Sequence, residues 1–227
     1  DLTQFENLTL TGDPTPFYHA LTENTIKGSM YSPVTGGGTA TVEFEYLTGF
    51  TSLFQPPHTV AYQLYVEEGM PSLAALAGSH GYETTAFHPY KSSGWNRPVA
   101  YRDLDFDNQM YEEDVTDPQY IRHYISDLSD YDMIFRSTQE EDSSFFFNVT
   151  MQNHSAYNVP WTGLDKTVWL TGAMEGRFHT GNQYLSLIRE SDSAFQYLVE
   201  YFSQVEEPNM ILMFGYYQHP VATNFYT

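Results

Sequence analysis

Three consecutive glycines, Gly36-Gly37-Gly38, followed at once by Thr39-Ala40-Thr41-Val42-Glu43-Phe44-Glu45-Tyr46-Leu47-Thr48-Gly49, place the tightest local constraint on this chain of 227 residues. Lacking Cβ atoms, the glycines let the backbone turn sharply and approach a ligand closely. The apolar spacing of Val42, Phe44 and Leu47 predicts a short helix after them, stopped near Gly49. Thr39 therefore stands at a loop-to-helix junction. Its hydroxyl there either caps the helix or faces an anion drawn to the free N–H groups of the first turn.

The flanking sequence alternates between helical and strand patterns. Pro16 to Asn24 predicts a helix, with Phe17, Ala20 and Leu21 on one face, and Ile26 to Val34 predicts a strand leading into the glycine loop. Residues 50 to 70 are irregular, because Gln55-Pro56-Pro57-His58 disfavours regular structure. Pro71 to Ser79 reads as a helix and Thr84 to His88 as a strand, followed by a loop that delivers Trp95 and Arg97. Asp117-Pro118 opens a long helix to about Ser137, and Ser144 to Met151 is an apolar strand built on Phe145-Phe146-Phe147 and Val149. A second long helix covers Asn182 to Val205, and Asn209 to Phe214 is the last strand.

This alternation predicts an α/β fold with a mostly parallel central sheet flanked by helices, in which ligands gather at the C-terminal ends of strands. His88 and His154 both fall at such ends. No repeat or linker divides the chain, so residues 1–227 read as a single domain.

Charge and cysteine content narrow the chemistry. Nine Lys and Arg against 29 Asp and Glu give a net charge of −20. That field repels nucleic acid and anionic surfaces, so an anionic substrate needs a local cluster of cations or a metal. With no cysteine, disulfides, thiolate metal sites and thiol nucleophiles are excluded. No run of about 18 apolar residues and no signal peptide is present. Asn7-Leu8-Thr9, Asn148-Val149-Thr150 and Asn153-His154-Ser155 match the short glycosylation pattern.

The Gly-Gly-Thr-Ala-Thr-Val-Glu-Phe-Glu segment resembles the nucleophile loop of the lipoteichoic acid synthase family, a sulfatase-like branch of the alkaline phosphatase superfamily. The resemblance continues, in order, through Ala86-Phe87-His88-Pro89-Tyr90, Gly94-Trp95-Asn96-Arg97, Asp117-Pro118 with Ile121 to Asp127, Asn148 to His154, and Met213-Phe214-Gly215. It implies that Thr39 is both the nucleophile and a ligand of a divalent metal, Mn or Mg. It implies further that His88, Trp95, Arg97 and His154 line the substrate site. Arginine offers a planar fork that matches two phosphate oxygens, tryptophan shapes a wall for a glycerol unit, and a neutral imidazole orients phosphate or passes a proton. Glu43 takes a supporting role, and Asp127 a structural one in a solvated helix.

Two departures from the family's pattern bear on the metal. The family's Phe-Gly-Asp-His-Gln-Pro, whose Asp-His pair binds metal, is replaced by Phe214-Gly215-Tyr216-Tyr217-Gln218-His219-Pro220. Neutral phenols are poor ligands for hard cations, which leaves His219 as a substitute only if the loop shifts. The remaining family carboxylate lies in an apolar strand just ahead of the segment resembling Asp1-Leu2, so the domain is expected to be incomplete at both ends.

The resemblance implies transfer of phosphoglycerol from phosphatidylglycerol, an anionic glycerophospholipid, onto a glycolipid or polymer at the outer face of a bacterium. Membrane contact would come only through upstream segments. A hydrolase of the sulfatase or phosphodiesterase type is the alternative, as is an inactive relative that holds a phosphate or glycolipid head group, which Tyr216 and Tyr217 favour.

Overall fold

Glu83–Phe87 (β1) is the centre of a three-stranded parallel sheet in the order β2-β1-β5, with Asn108–Met110 (β2) on one side and Ser144–Asn148 (β5) on the other. Thr85 pairs with Asn108 and with Phe146, so all three strands end at the same level. Tyr120–Ile121 (β3) and Tyr124–Ile125 (β4) form a separate antiparallel hairpin. In this computed structural model, residues 9–56, 58–139, 143–219 and 221 are described. The Asp1-Leu2 segment, Asn7, Pro57 and Pro220 lie outside them.

Helices cover both faces of the sheet. On one side Thr39–Thr48 (α2), Ala61–Leu64 (α3), Leu73–Ser79 (α4) and Arg97–Asp103 (α5) pack Phe44, Leu47, Tyr62 and Tyr101 onto Phe145 and Phe147 of β5. On the other, Asp127–Thr138 (α6) and His179–Phe202 (α7) meet through Tyr131, Phe135, Phe195 and Leu198, with Phe146 against them. The alternation of Phe145-Phe146-Phe147 between the two cores explains the continuous apolar run, since a parallel strand is buried on both faces. Each fully buried aromatic contributes about 1.5–3 kcal/mol of transfer free energy. Pro16–Ala20 (α1) lies against α7, where the Asp192 carboxylate accepts from the N–H groups of Phe17 and Tyr18 at 2.8 and 2.9 Å. That carboxylate satisfies the orphan donors of a helix start.

The expected α/β sheet is present, but several expected elements differ. The first helix stops at Ala20 rather than Asn24, which has φ 50°. The expected strand Ile26–Val34 is irregular, with Ile26 and Tyr31 almost fully exposed and Ser32 closing a local turn onto Val34. No neighbouring edge offers it ladder hydrogen bonds among the described residues. The helix expected from Pro71 begins at Leu73, because the Ser72 hydroxyl accepts from the Ala75 N–H at 2.9 Å and fixes the cap.

The helix expected from Asp117 begins only at Asp127, capped by Ser126. Positive φ at Asp117 (51°) and Arg122 (60°) breaks the helical path and makes room for the β3–β4 hairpin. Asn209–Phe214 is extended but unpaired, with no ladder partner among the described residues. No described helix is long and apolar enough to cross a membrane.

Candidate active site

All six residues singled out in the sequence, Thr39, His88, Trp95, Arg97, His154 and His219, line one cavity of about 1670 Å³. The parallel sheet accounts for this convergence. His88 follows β1 and His154 follows β5, and the neighbouring strands end together.

Thr39 is the first residue of α2, behind glycines at φ 70°, 156° and 88°. Only glycine adopts such a run without cost. A Cβ at Gly38 would also meet Val34 Cγ1 at 3.2 Å. The loop is tied to the C-terminal segment, since the Gly36 N–H donates to the Gln218 carbonyl at 3.1 Å. Thr39 thus presents its hydroxyl beside the N–H groups of a helix start, where negative charge is favoured.

Trp95 sits in a single 3-10 turn, Gly94–Asn96, with φ 59° at Trp95 and 63° at Asn96. Left-handed backbone costs a non-glycine residue roughly 1–2 kcal/mol. The Asn96 amide offsets part of this by donating to the Tyr62 carbonyl at 3.0 Å. The result holds a 41% exposed indole at the cavity.

Arg97 opens α5 and is sealed from solvent. Its Nη2 donates to Glu43 Oε1 at 2.5 Å and its Nε to Glu43 Oε2 at 3.3 Å, while the Tyr101 hydroxyl donates to Oε2 at 2.8 Å. Burial alone would raise the Glu43 pKa, but the adjacent guanidinium and the hydrogen bonds hold it below the usual carboxylate range. The Arg97 fork is therefore engaged by protein, and with the ionised Glu43 it forms a neutral buried pair rather than the free phosphate clamp expected from the sequence. Glu43 fastens α2 to α5, a supporting role, and Tyr101 completes a trio that sequence spacing did not disclose.

His88 is 4% exposed and its Nδ1 lies 2.7 Å from the Val149 carbonyl. A carbonyl only accepts, so Nδ1 carries the proton and Nε2 keeps a lone pair. Burial, then the nearby Arg97 charge, lowers its pKa to about 4. His154 is held differently. Its Nδ1 is 2.7 Å from the Ser155 carbonyl and 3.1 Å from the Tyr124 hydroxyl. Arg122 grips the same loop, donating to the carbonyls of Gln152, His154 and Ala156 at 2.6, 2.8 and 2.7 Å. Sequence reading put Arg122 and Tyr124 in a helix and so missed their work. The only signal was their position inside a conspicuously aromatic Ile-Arg-His-Tyr-Ile run.

His219 Nδ1 is 2.5 Å from the Tyr157 hydroxyl, and burial lowers its pKa to about 4. Burial pushes the Tyr216 phenol well above its ordinary value, so it stays neutral. Asp127, expected to be solvated, is 2% exposed with its pKa raised to about 6 by burial, and its Oδ2 accepts from Ser191 at 2.5 Å. It stands at the first turn of α6, so its surroundings, not solvent, define it.

A divalent cation needs several oxygen or imidazole donors. Among the described residues no three His, Cys, Asp or Glu side chains are grouped to hold one. Glu43 is consumed by Arg97 and Tyr101, and Tyr216 is a neutral phenol. The described donor set does not fit such a metal.

A parallel sheet between two helical layers, with a hydroxyl-bearing helix start and histidines beyond the strand ends, makes this an α/β domain whose cavity lies at the C-terminal ends of its strands. Residues 1–215 match the family model Sulfatase, and the chain belongs to that family. It is 32% identical over 229 aligned positions to a protein of Rhizobium meliloti (strain 1021) named for modification of cyclic beta-1,2-glucan, covering 98% of this chain and 34% of that protein. Its fold is similar to that of the Streptococcus pyogenes phosphoglycerol transferase GacH in complex with sn-glycerol-1-phosphate. The TM-score is 0.77 at 23% identity, over 91% of this chain and 55% of that one.

The lipoteichoic acid synthase LtaP from Listeria monocytogenes gives a TM-score of 0.72 at 20% identity, over 88% and 48% of the two chains. A Vibrio parahaemolyticus protein of the alkaline phosphatase superfamily gives 0.58 at 20% identity, over 76% and 41%. The chain thus spans about a third to about half of the length of the proteins it matches.

Proposed function

We propose that this chain is the substrate-holding part of a phosphoglycerol transferase that takes its group from phosphatidylglycerol and delivers it to a glycan hydroxyl at the outer face of a bacterium. The observation that carries this reading is the placement of Thr39, at a helix start behind three glycines, on the same cavity as His88, Trp95 and His154. The fold shared with GacH supports the transferred group, and the relative named for cyclic beta-1,2-glucan modification supports a glucan acceptor.

In this mechanism the Thr39 hydroxyl oxygen attacks phosphorus. The new P–O bond to Thr39 forms as the P–O bond to diacylglycerol breaks, and the proton lost by Thr39 ends on the diacylglycerol hydroxyl. An acceptor hydroxyl then attacks the same phosphorus, and Thr39 regains a proton. The Nε2 lone pair of neutral His88 accepts from a substrate hydroxyl, His154 lines the same cavity, the α2 N-terminus favours the anion, and Trp95 walls the glycerol. A divalent metal, Mn or Mg, belongs to the family's chemistry but would need ligands beyond the described set.

A second reading, a phosphate-holding relative without turnover, is favoured by the neutral Tyr216 phenol at the expected metal motif. Incubating the complete protein with phosphatidylglycerol and cyclic beta-1,2-glucan separates the two. Phosphorus NMR of the recovered glucan is expected to show a glycerophosphoryl diester. Binding of sn-glycerol-1-phosphate with no diester, across a series of Mn²⁺ concentrations, would favour the second reading.

A further inference from the structure

Charge is distributed unevenly along this chain. Residues 28–42 and 46–66 hold no Asp, Glu, Lys or Arg, whereas such residues make up 17% of the whole. The first segment runs through the glycines into Thr39, and the second leaves the end of α2 and contains α3. In a chain of net charge −20, these neutral stretches before and after one helix mark a face from which charge is withheld.

The structure brings the two segments together. Tyr31, Ser32 and Pro33 meet Thr51, Ser52 and Leu53 around one hollow. The side chains around it point outward and are apolar. Tyr31, Phe54 and Leu53 are exposed by 94%, 86% and 78%, and Phe50 is half exposed. Single exposed apolar residues are ordinary, but a contiguous group of this size marks a contact surface. The group also borders the cavity. Leu64 is exposed on α3, whose Tyr62 carbonyl accepts from Asn96 in the turn that carries Trp95.

The backbone is prepared for an apolar medium. Phe50 and Leu53 donate their N–H groups to the hydroxyls of Thr48 and Thr51, both at 3.2 Å. Ser52 donates its N–H to Glu45 at 2.6 Å, and Gln55 to the Ser52 carbonyl at 3.0 Å. A loop that enters lipid must satisfy its polar groups internally, because hydrocarbon offers no partners.

Charge then decides the class of partner. Acidic surface is repelled by an anionic bilayer within a Debye length of about 8–10 Å. A face without acidic side chains escapes that repulsion, and it offers aromatic and aliphatic groups of the kind that settle at headgroup level. The choice of lipid rests on the reading of phosphatidylglycerol as donor, which places the substrate in the same layer.

We propose that residues 30–34 and 50–55, with Leu64, form a lipid-contacting edge. Its apolar side chains enter about 5–10 Å into the headgroup region and turn the Trp95 side of the cavity toward the bilayer. The family resemblance implied membrane contact only through upstream segments, and this edge adds a contact made by the domain itself.

Site-specific fluorescence quenching tests this in the complete protein, reconstituted in vesicles of phosphatidylcholine and phosphatidylglycerol. A nitrobenzoxadiazole label is attached to a single cysteine introduced as Tyr31→Cys, Phe54→Cys or Ser193→Cys, with any native cysteine outside these 227 residues replaced by serine. Ser193 is exposed on α7 in the opposite helical layer and serves as the control. Nitroxide-bearing phosphatidylcholine is expected to quench the labels at positions 31 and 54 and to leave the label at 193 bright. Thr39→Ala, which abolishes turnover under the transfer reading, should retain the quenching, so failure of that reaction and failure of this contact are read separately. Bright labels at 31 and 54 would overturn the proposal, whether aqueous iodide reaches them or another segment of the protein shields them. Equal quenching at 193 would also overturn it, because the contact would then have no preferred face.

Discussion

Arg97 and Glu43 form a buried, two-point ion pair that joins the start of α5 to the middle of α2, with Nη2 at 2.5 Å from Oε1 and Nε at 3.3 Å from Oε2. The pair fixes the helix carrying Thr39 relative to the turn carrying Trp95. Desolvating two charges is costly, and removing one partner leaves the other buried and uncompensated. Glu43→Ala is therefore expected to destabilise the protein by about 3–5 kcal/mol. Denaturant unfolding monitored by circular dichroism checks this, and a loss below about 1 kcal/mol would mean that the pair is solvated.

Gly38 tests the loop. Its φ of 88° and the 3.2 Å approach of Val34 to a Cβ at that position make Gly38→Ala costly in two ways. A loss of about 1–2 kcal/mol is expected from the left-handed backbone alone. Thr39→Ala carries neither penalty and should unfold near the wild-type midpoint, which the same unfolding measurement reads.

Much of this architecture was legible beforehand, and the reasons are local. The Gly36–Gly38 run followed by apolar helical spacing located the start of α2 at Thr39 and its end near Gly49, because the glycine conformation and the helix start are encoded within a dozen positions. Phe145-Phe146-Phe147 located β5 because a strand buried on both faces needs no polar alternation. The helix expected from Asp117 failed because left-handed turns at Asp117 and Arg122 leave no mark in hydrophobic periodicity. The strand expected at Asn209–Phe214 failed for a non-local reason. A strand exists only by its neighbours' hydrogen bonds, and none pairs with it among the described residues. The residues that line the cavity were singled out through short motifs, whereas the Glu43–Arg97–Tyr101 trio and the Arg122 grip are long-range contacts that spacing does not encode.

His88 gives the stability a defined pH dependence. Its pKa in the fold is about 4, below the ordinary 6.5, so the unfolded chain binds a proton first as pH falls. The stability that a neutral His88 leaves intact is complete above about pH 6.5 and is lost between there and about pH 4, to the extent of about 3 kcal/mol. His219 acts in the same sense. Asp127, raised to about 6, acts in the opposite sense, since its penalty is present above pH 6 and relieved on acidification. The difference in unfolding free energy between wild type and His88→Gln isolates the histidine. That difference is expected to shift in favour of the wild type from pH 4 to pH 7, and a flat difference would place His88 in contact with water.

Under the proposed function Trp95 bears on substrate rather than stability. Its indole is 41% exposed and lines the cavity. Trp95→Ala is expected to raise KM for phosphatidylglycerol roughly tenfold, about 1.4 kcal/mol of lost binding, with kcat changed less. Steady-state kinetics on mixed micelles would show the split, and a fall in kcat alone would assign the indole to the transition state.

The central claim is that Thr39 forms the bond to phosphorus, and diacylglycerol release from phosphatidylglycerol measures it most directly. The complete protein should release diacylglycerol, and Thr39→Ala, folded to the same unfolding midpoint, should release it on the order of 10³-fold more slowly or less. Release by Thr39→Ala at the wild-type rate would contradict the account, because the first bond to phosphorus would then be made by another group.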